Sequence, residues 1–299
     1  MAKNSKFKWI TFGILAAISW GISGLFGKIL FQSTSMSAMM LTQIRMVIGG
    51  IVILGISIIL KHDIFAMFKD WRMVINLVLY AILGMIPDQL FYFMTVDYGD
   101  ASIATILQYL GPFFIMLYMA LFHHQIPSRL EIISAIVAFF GVMIIATDGK
   151  FTSMEITPKV LFWGILSAIG VMLNTILPRP LLKKYNALDV TGWGLIVAGI
   201  SLIAGYPEIQ EIQFNFVNIF NILVVSILGT ALAFLFYMLS LEHISPTIVS
   251  LLDAFEPITA TLGSVLFLGL TLHLPDIWGM LLILIAVIGL NYQPQSKME

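Results

Sequence analysis

Two carboxylates lie close together in an apolar segment of the chain. Asp253 and Glu256 are three residues apart, a spacing that places both side chains on one face of a helix. Two carboxylates in a low-dielectric surrounding cannot both carry a charge cheaply. Such a pair suits proton exchange or the binding of a cationic group such as an amine. The alternative is that both acids bond to backbone groups or to Arg45 and serve helix packing.

Other ionisable residues also lie inside apolar segments, where a charge is expensive and indicates function unless it is paired or near the interface. Arg45 and Asp88 are predicted at a similar depth, roughly 10–12 Å from the same membrane boundary. Two interpretations are open. Either Arg45 and Asp88 form a structural salt bridge, or Asp88 contacts the substrate and breaks its pairing with Arg45 as a gate moves. Lys28 lies near a helix end, where its side chain can reach the headgroups. Arg45 and Lys28 are the candidates for a charge partner or gate.

Neutral polar and aromatic side chains complete the predicted site. Amides can add hydrogen bonds, and aromatic rings can supply apolar walls or cation–π faces for a small solute. Each of these residues taken alone is more typical of packing than of contact with a ligand. The predicted substrate-binding residues are Trp20, Asp88, Tyr92, Gln108, Trp163, Asn174, Tyr237, Asp253 and Glu256.

Membrane helices are the elements that must position these residues. The 299-residue chain is 60% hydrophobic and 10% charged, against roughly 25% charged residues in a soluble domain. Its apolar runs of roughly 18–25 residues are long enough to cross a hydrocarbon core of about 30 Å. We therefore predict an all-α membrane protein with ten transmembrane helices. The runs lie near residues 9–31, 37–60, 72–95, 101–122, 129–147, 159–182, 188–206, 217–240, 245–268 and 274–291.

The chain contains an internal duplication. Matching segments recur at a spacing of 145 or 151 positions: 82–84 in 227–229, 91–92 in 236–237, and 13–15 in 164–166. We predict two five-helix repeats, 1–150 and 151–299. Because each repeat holds an odd number of spans, the two must have opposite orientations in the bilayer, which is how many secondary transporters are built.

A proline lies in the middle of one span in each repeat. Pro112 and Pro257 are 145 positions apart, and each removes a backbone donor from its helix. In lipid, such breaks occur against other helices or a water-filled cavity. We interpret both prolines as hinges near the midplane. The alternative is that prolines are simply common in membrane helices.

Basic residues concentrate on one side of the predicted membrane topology. Eleven lie in the termini and loops of the side that holds the N-terminus, and two, Lys150 and Lys159, lie on the other. This distribution predicts a multi-pass protein of the plasma membrane with both termini in the cytoplasm. No basic stripe indicates nucleic acid. The chain has no cysteine, which excludes disulfides and thiolate metal sites, and we expect neither a metal nor a cofactor.

Several of these residues together match a known family pattern. Trp20-Gly21 is followed by Lys28, a lone Arg45 occupies the second span, and Glu256-Pro257 has Pro112 as its counterpart. With the duplicated halves, the chain resembles the ten-helix branch of the drug/metabolite transporter superfamily, the EamA-type transporters, over almost its whole length.

The resemblance implies a secondary transporter of amino acids, metabolites or toxic organic compounds, with a central cavity between the halves. The chain also departs from the family pattern: His123-His124 and Gly269-Leu270 replace the usual Gly-Glu after the interrupted spans. Asp88 is not a usual family feature either. We expect these departures to reflect the substrate of this protein.

We therefore predict a gradient-driven exporter of amino acids or metabolites, with protons as the candidate coupling ion, and not an enzyme. A passive channel for small solutes is the main alternative, although the sequence has no duplicated short half-helices. An intramembrane protease is a weaker one: Gly21-Ile22-Ser23-Gly24 fits a G-x-S-G motif, but all five histidines lie at or beyond helix ends, away from the serine. The sequence contains no phosphate-binding loop motif, so it encodes no ATP-hydrolysing motor.

Overall fold

The computed structural model describes residues 3–98, 101–151, 157–208, 215–269 and 271–291. Within these residues the secondary structure is entirely helical, and the α-helices are numbered in chain order. They are α1 Lys3–Ser33, α2 Ala38–Ile59, α3 Trp71–Leu79, α4 Ile86–Tyr98, α5 Ala101–Gln108, α6 Gly111–His123, α7 Arg129–Thr147, α8 Pro158–Ile176, α9 Arg179–Leu182, α10 Ala187–Gly205, α11 Phe216–Ser226, α12 Ala233–His243, α13 Pro246–Leu252, α14 Phe255–Leu268 and α15 Leu274–Asn291.

Nine helical stretches in the described residues are long and apolar enough to cross a membrane. Several of them join two helices of the numbering, as α3 and α4 do in Trp71–Tyr92. The tenth predicted span corresponds to α15, whose apolar stretch, Leu274–Leu290, is shorter. The prediction of an all-helical, multi-pass membrane protein is confirmed; within the described residues nine of the ten predicted transmembrane helices meet the length and hydropathy expected of a span, and the tenth is shorter.

Polar caps fix where several helices begin and end. The Ser128 hydroxyl accepts a hydrogen bond from the N–H of Glu131, and the Glu131 carboxylate accepts one from the N–H of Ser128. This capping box defines the start of α7. Gly269 ends α14 with a φ of 68°, a left-handed conformation that glycine adopts without steric cost.

Two spans contain a π-helical turn at the position of the repeated Ile-Leu-Gly segment. The turns are Tyr80–Met85, between α3 and α4, and Ile227–Leu232, between α11 and α12. The extra residue of a π-turn changes the direction of the side chains that follow, and such turns are frequent at functional sites. Asp88 lies three residues after the first of them.

Two other spans are interrupted near their middle. One break separates α5, which ends at Gln108, from α6, which begins at Gly111; the other separates α13, ending at Leu252, from α14, beginning at Phe255. Pro112 and Pro257 lie in the first turn after each break, as expected for residues that lack an N–H to continue the preceding helix. Their role as hinges stays a prediction.

Helices from the first 150 residues, here called the first half, interlock with those of the second half. The first helix of each half packs mainly against the other half: α1 against α11, α12 and α14, and α8 against α4, α5 and α6. Two further pairs, α2 with α10 and α7 with α15, join the halves. Glycine permits these close approaches, since a Cβ on Gly141 would lie 2.7 Å from the Gly279 carbonyl oxygen.

The two ends of the bundle are distinguished below by their connections. The proximal end carries the start of α1 and the α2–α3, α6–α7 and α12–α13 connections. The distal end carries the α1–α2, α7–α8 and α14–α15 connections. The largest buried cluster includes Tyr80, Phe234 and Met238.

Candidate functional site

A cavity of about 750 Å³ lies between the halves. Its wall is formed by the distal parts of α1, α2, α7 and α14, together with residues around both helix breaks. This volume falls in the range of about 300–1,000 Å³ that is typical of sites for small molecules. Tyr237 lines the cavity and is also packed in the buried cluster of Tyr80 and Met238, so apolar side chains close the cavity on its proximal side.

Amide groups hold the carboxylate of Asp88, which is 7% exposed. It accepts hydrogen bonds from Asn174 Nδ2 and Gln108 Nε2, each at 3.1 Å, and from Gln89 Nε2 at 3.3 Å. Gln108 Nε2 also lies 3.0 Å from the Asp88 carbonyl oxygen and 3.0 Å from Ser167 Oγ. The network therefore ties α4, the end of α5 and α8 together around one acid.

Arg45 lies near two acids but is bonded to neither. Its guanidinium donates to Oε1 of Gln89, while Asp88 and Glu256 attract it electrostatically. Among the described residues no ion pair joins Arg45 to a carboxylate. The alternative of a direct Arg45–Asp88 salt bridge is therefore corrected: Gln89 stands between them, accepting from one side chain and donating to the other.

Asp253 and Glu256 are the acids with free capacity in the cavity. Glu256 is exposed in the cavity wall. Asp253 lies in the break between α13 and α14, and its Oδ1 is buried without a hydrogen-bond partner in the described part of the chain. Asn174 Oδ1 and Trp20 Nε1 are buried without partners as well. Because an unpartnered buried polar atom costs roughly 1–3 kcal/mol, each of these three atoms would be stabilised by a hydrogen-bond partner.

Aromatic rings complete the wall. The ring centroids of Trp20 and Tyr237 are 5.5 Å apart. The Tyr237 hydroxyl lies 2.6 Å from Thr175 Oγ1, and the Tyr92 hydroxyl lies 3.2 Å from Thr105 Oγ1. These hydrogen bonds fix the orientation of the two tyrosine rings in the cavity wall.

Comparisons to known proteins agree with the fold and identify its family. A model of the EamA-like transporter family matches residues 7–147 and again residues 158–292. The chain belongs to the EamA-like transporter family. The resemblance drawn from Trp20-Gly21, Arg45 and Glu256-Pro257 is thereby confirmed, and the family indicates a membrane transporter rather than an enzyme.

Two relatives and one solved structure are similar to this transporter over most of its length. YicL of Salmonella typhimurium LT2, described as an uncharacterized inner membrane transporter, is 31% identical over 287 residues, covering 95% of both chains. An uncharacterized transporter of Archaeoglobus fulgidus is 23% identical over 283 residues, covering 94% of this chain and 97% of the relative. One crystal structure matches with a TM-score of 0.81 over 95% of this chain and 96% of that chain, at 15% identity; this likeness shows the fold alone.

The transporter brings most of the predicted substrate-binding residues together. Those that line the cavity are Trp20, Asp88, Tyr92, Gln108, Asn174, Tyr237, Asp253 and Glu256. Lys28, Arg45, Pro112 and Pro257 line it as well. Trp163 lies outside the wall, because its ring packs at 5.1 Å from the rings of Phe91 and Phe162. Contact with substrate stays a prediction for every lining residue.

Two residues that the sequence did not single out hold the site together. Ser167 accepts from Gln108 and lies seven residues, two helical turns, before Asn174 on α8. A search for polar residues on the Asn174 face would have found it. Gln89 could not be found in this way. It directly follows Asp88, and adjacent residues on a helix point roughly 100° apart.

A second polar cluster lies at the distal end, outside the cavity wall. Ligand atoms of Asp148, His273 and Asp276 lie within 4.8 Å of one another. His273 Nδ1 is 3.0 Å from Asp148 Oδ1, and the His273 N–H donates to Asp276 Oδ2 at 2.9 Å. Lys150 hydrogen-bonds Asp148, and this bond, with that from His273, lowers the pKa of the Asp148 carboxyl. With these atoms bonded to one another and to a lysine, the cluster ties the end of α7 to the start of α15.

Proposed function

We propose that this transporter is a gradient-driven carrier of small organic solutes that works by alternating access. The observation that carries the proposal is a cavity lined by charged side chains that apolar packing closes on one side. Its wall reaches Lys28 and Phe31 near the distal end of α1. A carrier needs a site closed on one side at a time, whereas a channel, the alternative from the sequence, needs a continuous pore.

We infer further that residues 1–150 and 151–299 are inverted repeats. Close contacts recur with the roles of the halves exchanged: Gly13 against Leu252 and Gly164 against Leu107, and likewise Gly229 against Ser23 and Gly84 against Asn174. The partners of each contact are related by the 151- and 145-residue spacings of the sequence repeat. A twofold axis in the membrane plane would generate such exchanged pairs, and it would also relate two conformations open to opposite sides.

The charges of the cavity favour amino acids or amine-bearing metabolites as substrates. Three acids and two bases line it, so a ligand with a positive group balances the local charge. An ammonium group offers three donors and no acceptor, which matches the carboxylates of Asp253 and Glu256 in the cavity wall. Arg45, which also lines the cavity, would serve a carboxylate or another acceptor of the solute.

The same arrangement supports a proposal for the coupling ion. Glu256 lies one turn from Asp253, and a carboxylate facing a cavity can exchange protons as well as bind cations. We propose protons as the coupling ion and export as the net direction. From the positive-inside distribution we propose that the proximal end and both termini face the cytoplasm and that the distal end faces the outside of the plasma membrane.

A ligand screen followed by counterflow tests the proposal. The purified transporter is heated with a metabolite library containing matched amines and their N-acetyl derivatives, because a ligand of the folded state raises the apparent Tm. Hits are then measured in proteoliposomes. A carrier shows saturable uptake and counterflow of preloaded solute, and unsaturable flux without counterflow would contradict the proposal in favour of a channel.

Asp253→Asn provides the residue-level test, with Asp63→Asn as the matched control. Asp63 lies on the exposed connection between α2 and α3, where it pairs with Lys69 at 2.7 Å. We expect Asp253→Asn to weaken binding of amine hits at least about tenfold, in line with the loss of a charge-assisted hydrogen bond of about 1.5–3 kcal/mol. Equal affinity for amines and N-acetyl derivatives would reject the amine assignment while leaving the carrier proposal intact.

A further inference from the structure

Tyr109 links the two interrupted spans by a hydrogen bond that crosses between the halves. It lies in the break between α5 and α6 and is 7% exposed. Its hydroxyl donates to the carbonyl oxygen of Leu251 at 3.1 Å. Leu251 belongs to the last turn of α13, beside the second break, and its carbonyl also accepts from the N–H of Asp253 and, at 3.4 Å, from that of Ala254. The tyrosine therefore adds a donor from the first half to the carbonyl beside the second break.

The same two spans close the proximal side of the bundle by apolar packing. Met116 on α6 and Leu251 on α13 belong to one buried cluster, against which Phe113 packs. We call this α6–α13 contact the proximal seal. Tyr109 lies at its inner edge, between the seal and the cavity, which it also lines.

The repeat places an equivalent contact at the distal end. Adding 145 to Met116 gives Thr261, and subtracting 145 from Leu251 gives Ile106, so the equivalent of the proximal seal joins α14 to α5. In the described part of the chain α14 has no extended contact with α5, and Thr261 lines the cavity instead. The distal counterpart of the seal is therefore open in this structure.

The two seals differ at one position that carries a hydrogen bond. The residue equivalent to Tyr109 is Ala254, which has no hydroxyl to donate. A distal seal formed by α5 and α14 would thus lack the bond that the proximal seal has. We propose that Tyr109 is a positioning residue that holds the substrate-free carrier in the state with the proximal seal closed. This inference rests on the alternating access of the proposed function.

Single-cysteine reporters test the inference, since the chain has no cysteine of its own. Met116→Cys, which is 6% exposed in the proximal seal, is labelled with a maleimide in the absence of substrate. When opening is fast compared with labelling, the rate reports the minor population in which the seal is open. We expect Tyr109→Phe to raise this rate about 2- to 10-fold, the effect of one net hydrogen bond. Gln125→Cys, on the exposed α6–α7 connection, is the control whose rate stays constant.

A second reporter separates a population shift from mere loosening around Tyr109. In the double variant Ile106→Cys and Thr261→Cys, a short bifunctional maleimide joins the two thiols only when α5 and α14 approach. Tyr109→Phe should speed this cross-linking by a factor similar to that for Met116→Cys. Faster labelling at position 116 with unchanged cross-linking would overturn the inference, and so would an unchanged rate at position 116. Cross-linking that is absent with and without Tyr109 would reject alternating access itself.

Discussion

Gly84 lies directly against the backbone of Asn174, on a helix of the other half. A Cβ at position 84 would stand 2.9 Å from the Asn174 Cα and 3.0 Å from its backbone nitrogen. Because the obstructing atoms belong to the backbone, they cannot rotate away as a side chain would. The contact also holds Asn174 where its amide reaches Asp88 at 3.1 Å. The close packing of the π-turn at Gly84 thus helps to position the polar network of the cavity.

Substitution Gly84→Ala should destabilise the transporter by about 1–3 kcal/mol, the usual cost of overpacking a filled interior. Gly55→Ala is the matched control, because a Cβ on that helical glycine meets no atom within 4 Å. Alanine has the higher helix propensity there, so Gly55→Ala should be neutral or stabilising by up to about 1 kcal/mol. Thermal unfolding in detergent compares the two variants. Equal Tm values for both would contradict the close packing at Gly84.

Asp88→Asn should destabilise the folded state more than a change at the surface would. The carboxylate accepts from three amide nitrogens, those of Gln89, Gln108 and Asn174. An asparagine would turn an N–H toward at least one of these donors and leave buried groups unsatisfied, at a cost of about 1–3 kcal/mol. The measurement is the midpoint of thermal unfolding, with transport assayed in parallel. Unchanged stability and transport would show that the network has no important role.

Glu256→Gln should abolish proton movement driven by the transported solute, because the amide cannot exchange a proton at the cavity wall. Fluorescence of a pH-sensitive dye inside proteoliposomes, recorded after addition of solute, measures the effect. Glu242→Gln is the control, since Glu242 is exposed at the end of α12 and outside the cavity wall. Proton movement of normal rate in Glu256→Gln would remove this residue from the coupling mechanism.

The surface pair of Asp70 and Lys184 gives a prediction for pH. Their side chains are 2.9 Å apart, and this hydrogen bond lowers the pKa of Asp70 and raises the pKa of Lys184. The contribution of Asp70 is fully present above the ordinary aspartate value of about 3.9 and is lost as the pH falls through the lowered pKa. That of Lys184 is fully present below about 10.4 and is lost as the pH rises through the raised pKa.

The Tm difference between the wild-type protein and Lys184→Met should therefore be small and constant between about pH 5 and 9. Asp70→Asn should have a similar effect, because asparagine keeps the N-cap that Asp70 provides for α3. The double variant should lose no more than either single variant. A Tm difference that varies within this pH range, or additive losses, would contradict the pairing.

The sequence by itself determined the class of fold and much of the inventory of the site. Apolar runs long enough to cross a bilayer need no tertiary information, because in lipid only a helix or a closed barrel satisfies the backbone of a spanning segment. Prolines at positions 112 and 257 predicted where the two spans break. The acids and Arg45 stood out because charges are rare at membrane depth.

Only the tertiary structure decided which faces meet. Membrane helices are apolar on all sides, so hydropathy does not say which face turns inward; close packing at small residues and hydrogen bonds between helices do. Asp88 finds donors 20 and 86 positions away, in Gln108 and Asn174, and Trp163 turns away from the cavity to pack on Phe91. No local pattern encodes these contacts, because they depend on how α8 docks against α4 and α5.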